Sequence, residues 1–180
     1  MNKNINFKLK FLSIISFLTT ISLIFSNFNI FLPVFPYLKL EFSESLIYTI
    51  TLLFGIKFGL ISFFAMNFIK TFFFSFLGWP GFLIRISSII VIFFLGKFNK
   101  KKFFFYYILT GIMLNIIIKI LISIIFWLYL YNIPNQVVKI IIPISIIFNI
   151  FKMILNYILA KKIINFIFKI QKIYKITLTE

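Results

Sequence analysis

Residues 46–77 read LIYTITLLFGIKFGLISFFAMNFIKTFFFSFL, 32 residues broken only by Lys57, Lys70 and a pair of glycines. As one helix this stretch would run about 48 Å at 1.5 Å per residue, against a hydrocarbon core of about 30 Å. The run Gly55-Ile56-Lys57-Phe58-Gly59 offers a turn between two shorter spans instead. Charge decides between the two. Other apolar runs cover Phe11–Phe31, Phe103–Tyr131 and Val137–Leu159, with a shorter one at Phe82–Leu95. Basic residues gather on the cytoplasmic side of a membrane protein. With Lys3, Lys8 and Lys10 inside, a split at Gly55–Gly59 also puts Lys57, Lys97, Lys100, Lys101 and Lys102 inside. The last group, Lys161, Lys162, Lys169, Lys172 and Lys175, follows them. Thirteen of the nineteen basic residues then face inward, against two outward (Lys39, Lys139) and four within spans. The chain is therefore expected to be an all-α integral membrane protein: a six-transmembrane-helix bundle with both termini cytoplasmic. The expected spans are 10–31, 45–56, 58–77, 82–96, 103–131 and 137–160, in a single domain with a basic cytoplasmic tail at 161–180.

Composition agrees. The 180 residues are 62% hydrophobic and 12% charged, where a soluble domain has about 45–50% and about 25%. The formal charge of +16 raises the question of nucleic acid, but the basic residues punctuate apolar runs and form no solvated face. Met1–Asn27 has the basic start and apolar middle of a signal peptide, yet its apolar stretch is long and lacks a small-x-small cleavage site. We expect it to remain as the first span. There is no His, Cys or Asp, and Glu occurs only at 41, 44 and 180. That leaves few carriers for acid–base catalysis, no thiol nucleophile and no zinc site, so no enzyme and no cofactor are expected. No phosphate loop is present, and no acidic residue falls within an expected span. A binding protein energised by partners fits what is missing.

Ionisable residues inside a membrane mark functional sites by default. Three spans carry an Asn and a Lys three or four residues apart, on one helical face: Asn67 and Lys70, Asn115 and Lys119, Asn149 and Lys152. The competing account for Lys70 and Lys119 is that their stems snorkel to an interface. Arg85, at the start of the short fourth span, reads as an anchor near the outer interface. After the first span, Pro33 and Pro36 break the helix, and the segment Leu32–Ser45 reads as a structured outer loop between helices 1 and 2. Apolar residues alternate there with Lys39 and Glu41, which makes the loop around Tyr37, Leu38 and Lys39 a binding surface or lid. Ser43 is placed to cap the next helix, with Glu44 favouring its positive end. Gly78-Trp79-Pro80-Gly81 reads as a second outer turn. Trp79 is there either an interfacial belt residue or a side chain that closes over a ligand.

These residues carry a resemblance. The segments LPVFPYLKLEFSES (32–45), FGIKFG (54–59) and NFIK (67–70) resemble the S components of energy-coupling factor (ECF) vitamin transporters. The late stretch Pro143…Phe148-Asn149-Ile-Phe-Lys152 is similar to the riboflavin-specific branch. The resemblance implies a six-helix bundle in a bacterial cell membrane that captures riboflavin from outside, beneath the loop joining the first two helices. It implies as partners a transmembrane coupling subunit and two ATPases. It gives Asn149 and Lys152 the role of contacting the flavin; the polar pairs, outer loop and second turn read above add Asn115, Asn67, Lys70, Tyr37, Leu38, Lys39 and Trp79 as further candidate contacts. Small residues on the first helix, an Ala-x-x-x-Ala face in the family, would dock the coupling subunit; here Ser13, Ser16 and Thr20 stand there. Where the riboflavin branch has Glu and Asn after the second outer turn, this chain has Phe82 and Arg85. Folate, thiamine or pantothenate is the alternative vitamin, and an accessory membrane subunit without a ligand is the alternative class.

Overall fold

The computed structural model describes residues 2–27, 30–32, 35–73, 78–98 and 104–174. Among these residues the elements are helices and one short hairpin: α1 (Asn2–Phe25), β1 (Ile30–Leu32), β2 (Phe35–Leu40), α2 (Ser43–Phe54), α3 (Ile56–Phe73), α4 (Gly78–Ile86), α5 (Ile89–Phe98), α6 (Phe104–Ile125) and α7 (Asn135–Tyr174). Phe- and Ile-rich runs would favour strands in water. Without water to bond the backbone, a chain in lipid must satisfy its own peptide groups, and helices do so within one segment. Among the described residues, four helices are long and apolar enough to cross a membrane: Ile56–Phe73, Gly78–Phe98, Phe104–Leu130 and Asn135–Lys169. The apolar stretches Leu12–Phe25 and Ser43–Phe54 are shorter.

Residues 46–77 do divide, at a single residue. Gly55 takes a positive φ of 91° and its N–H bonds to the Thr51 carbonyl, ending α2 and letting α3 start at the next position. Gly59, expected in that turn, lies inside α3, where a Cβ would land on the Thr51 side chain. Its role is close approach of the two helices rather than turning. The expected turn at Gly78–Gly81 is likewise helix: it forms the first turn of α4. Proline is tolerated there because first-turn N–H groups have no intrahelical acceptor. In the run 78–98 a hydrogen-bonded turn at Ser87 and Ser88 separates α4 from α5.

The segment expected as an extended loop forms an antiparallel pair, Ile30 opposite Leu40 and Phe31 opposite Lys39, with an irregularity between Phe31 and Leu32. Pro33 lies outside the described residues. α6 continues as a π-helical turn over Phe126–Leu130, and α7 runs unbroken through Pro143 and past residue 160 to Tyr174. Lys100, Lys101, Lys102 and Lys175 lie outside the described residues.

α2 is the centre of the bundle. Its residues 43–51 are all buried, and α1, α3, α5 and α7 pack around it. Ile47, Tyr48 and Ile50 of α2 join Ile15, Phe63, Val91, Ile92, Leu95, Ile112 and Met153 in one apolar core. The large exposed side chains, such as Phe17, Phe73 and Ile147, point outward, as lipid-facing residues do. By chain direction, the hairpin, the C-terminal end of α3 and the α6–α7 link share one end of the bundle.

Candidate binding site

The first turn of α2 begins one residue earlier than its sequence signals. Phe42 is the N-cap and makes no side-chain capping bond, so Ser43 is a helical residue with a buried, unpartnered Oγ. The expectation that Ser43 caps the helix is thereby corrected. The Ser43 carbonyl instead receives a tertiary bond, with Ser22 Oγ of α1 donating to it at 2.8 Å and tying α1 to this turn. The shift also carries Glu44 into the helix, while the four helices long enough to cross a membrane hold no acidic residue.

Glu44 is buried and forms an ion pair with Lys152 of α7 at 3.4 Å, while Tyr48 donates its hydroxyl to Glu44 Oε2 at 3.3 Å. Just before α2, Glu41 accepts from Lys70 Nζ of α3 at 2.7 Å. The Glu41 backbone carbonyl accepts from Asn156 Nδ2 of α7 at 3.1 Å. Two carboxylates at the junction of hairpin and α2 thus tie that junction to α3 and α7. Burial alone would raise the Glu41 carboxyl, but Lys152 and Lys70 beside it, with the Lys70 hydrogen bond, hold it down at about 2. A carboxylate whose folded value is depressed contributes stability that is complete above its ordinary value of 4.5 and lost as pH falls toward 2. Accordingly, the melting-temperature gap between wild type and Glu41→Gln in detergent should be level from pH 7 to 5 and close below about 4.5. A gap that closes above pH 5 would contradict the assignment.

Around these pairs stand amides with spare acceptors. Asn149, on α7, commits Nδ2 to the Ser145 carbonyl at 2.7 Å. Asn115, on α6, points Nδ2 at Met153 Sδ at 3.2 Å and leaves Oδ1 buried without a donor. Asn67, on α3, bonds the Phe63 carbonyl at 3.0 Å and also leaves Oδ1 unpartnered. Buried polar atoms are normally satisfied, so this concentration of orphans marks a place where a ligand can bond.

Of the residues picked from sequence, Lys70 and Lys152 meet through the two carboxylates, with Asn149 one turn before Lys152 on α7. Asn67 and Asn115 are buried in the same bundle. Tyr37, Leu38 and Lys39 lie on β2, but their side chains are outside the described residues. Trp79 stands apart: it is more than half exposed and packs edge-on against Phe72 and Phe82, at 5.5 and 5.6 Å between ring centroids. Arg85 departs from its expected place as an interfacial anchor. It lies in the last turn of α4 and donates Nη2 inward to Thr71 Oγ1 at 2.9 Å.

Sequence reasoning missed Glu41, Glu44 and Asn156 as site residues. A signal for Asn156 existed, since it continues the 149–152 face by one more turn. A signal for the glutamates was their rarity: two of three acids in a chain of nineteen basic residues stand three apart beside the loop. Among the described residues, no group of three or more His, Cys, Asp or Glu side chains is arranged to hold a metal ion.

The family model for the ECF transporter substrate-specific component matches residues 10–164. A solved structure of the S component of a bacterial ECF transporter is similar in fold, with a TM-score of 0.61 at 25% identity, covering 89% of this chain and 98% of that one. No curated protein matches.

Proposed function

The chain belongs to the family of ECF transporter substrate-specific components, and from that membership we propose that it captures riboflavin outside a bacterial plasma membrane for import. Members of this family are not enzymes. They bind the transported substrate and work with a module of transmembrane and ATPase subunits. In this reading the hairpin end faces outward and both termini are cytoplasmic. Support comes from charge: the opposite end carries Lys57, Lys97, Lys161 and Lys162, while the hairpin end has Lys39 and Lys139.

The observation that carries the reading is the buried α7 face of Asn149, Lys152 and Asn156, set against unpartnered amide oxygens. The pyrimidine edge of a flavin alternates acceptors with one N–H donor. An Asn oxygen accepts from that donor, and a lysine ammonium serves the acceptors, with donors to spare beyond its bond to Glu44. β2, with Tyr37, Leu38 and Lys39, closes over the ring. The α1 face of Ser13, Ser16 and Thr20 meets the coupling subunit.

Purified protein added to riboflavin should quench its fluorescence with one-to-one stoichiometry, and protein prepared with riboflavin should be yellow. A colourless preparation that leaves the fluorescence unchanged would remove riboflavin as the substrate.

A further inference from the structure

Beyond the two ion pairs, the cluster holds two more cations. Arg85 satisfies Nη2 on Thr71, but its Nε is buried with no acceptor. Lys119 has no hydrogen-bond or ion-pair partner among the described residues. It shares a stripe of α6 with the buried residues Ile108, Ile112, Asn115 and Ser123, and so faces inward. Helices α4 and α6 are in contact, and Lys119 lies within electrostatic reach of Arg85, Lys152, Glu41 and Glu44. Among the described residues, Lys70, Arg85, Lys119 and Lys152 therefore share two carboxylates, Glu41 and Glu44, an excess of two positive charges. Burying unpaired cations is costly, and inside a membrane such groups find a counter-charge. The one other carboxylate side chain of the sequence, that of Glu180, lies outside the described residues.

We propose that Arg85 and Lys119 form an oxyanion subsite that receives a phosphate ester or carboxylate of the transported vitamin. This rests on the cluster being the substrate site, and it refines the riboflavin reading by adding an anionic group to the ligand. The two residue types suit the task differently. The unpartnered Arg85 Nε gives a directed donor, while the Lys119 ammonium is a mobile point charge.

The test measures affinities of purified wild type, Lys119→Met and Arg85→Gln for riboflavin and riboflavin 5′-phosphate. Wild type should prefer the phosphate by about tenfold, in line with hydrogen bonds to charged groups. In each variant that ratio should fall to below about threefold. Equal affinity of wild type for the two flavins overturns the proposal, as does a ratio that survives in both variants. Should Arg85→Gln fail to yield monodisperse protein, the Lys119→Met ratio decides alone. If neither flavin binds, riboflavin falls as the substrate and the subsite is judged with folate, and with pantothenate against its alcohol, pantothenol. Binding of a carboxylate form that weakens about tenfold in Lys119→Met upholds the subsite. Failure of every anionic form to bind overturns it.

Discussion

Lys152→Met should lose vitamin binding by at least tenfold, about 1.4 kcal/mol, and should lose stability as well. The two losses have different origins, which makes them separable. Lys152 is 6% exposed and Glu44 is 7% exposed, so removing the ammonium leaves a carboxylate in a medium that solvates it poorly. Breaking a buried pair from one side costs about 3–5 kcal/mol. Tyr48 still donates to Glu44 and softens the loss, as does protonation of the acid. The double variant Lys152→Met/Glu44→Gln removes both charges. It should recover most of the melting temperature, because a neutral amide has far less to lose by burial. It should not recover binding, because the donor to the ligand is still missing. Thermal unfolding in detergent alongside ligand titration reads both quantities. If the double variant binds as wild type does, Lys152 is a structural ion and the ligand contacts lie elsewhere.

Ser16→Trp should abolish uptake while leaving vitamin affinity within about twofold, a difference under about 0.5 kcal/mol. Ser16 and Thr20 are exposed on α1, one turn apart, and Thr20 turns its hydroxyl back to the Ser16 carbonyl at 2.9 Å. With its hydroxyl bonded to its own helix, Thr20 presents a compact, nearly apolar surface. Small side chains in a membrane let a second helix approach closely, and packing is what drives association there. An indole at Ser16 would hold a partner helix off along a full turn. Uptake of labelled vitamin by cells carrying the partner subunits, compared with titration of the purified variant, separates docking from capture. Normal uptake by Ser16→Trp would place the docking face on another helix.

How far the sequence reveals this molecule depends on the range of each signal. The break at Gly55 was legible because it is local: two glycines beside a lysine inside an overlong apolar run. The Asn and Lys stripe on α7 was legible because helical period alone puts Asn149 and Lys152 on one face. The partners of those lysines were not. Glu44 and Lys152 are 108 positions apart, and nothing in either neighbourhood names the other. The start of α2 was misplaced by one residue: Ser43 carries the local cap signal, yet it lies inside the helix, where its carbonyl accepts from Ser22, 21 positions away. Arg85 was read from its position in the chain, whereas the Thr71 hydroxyl across the α3–α4 contact turned it inward.

The unequal lengths of the helices give the hairpin a task beyond covering a ligand. From Lys152 back to the start of α7 is 17 residues, about 26 Å of helix, and from Lys119 to the end of the π turn is about 16 Å. On the other side, α2 starts at Ser43, beside Glu44. α6 and α7 thus extend further past their cations than α2 extends past Glu44. The hairpin, which runs into the first turn of α2 within three residues, supplies chain at the end where α2 stops. A variant with shorter strands would leave the Glu41–Lys70 pair with less chain beside it, and its melting temperature should fall.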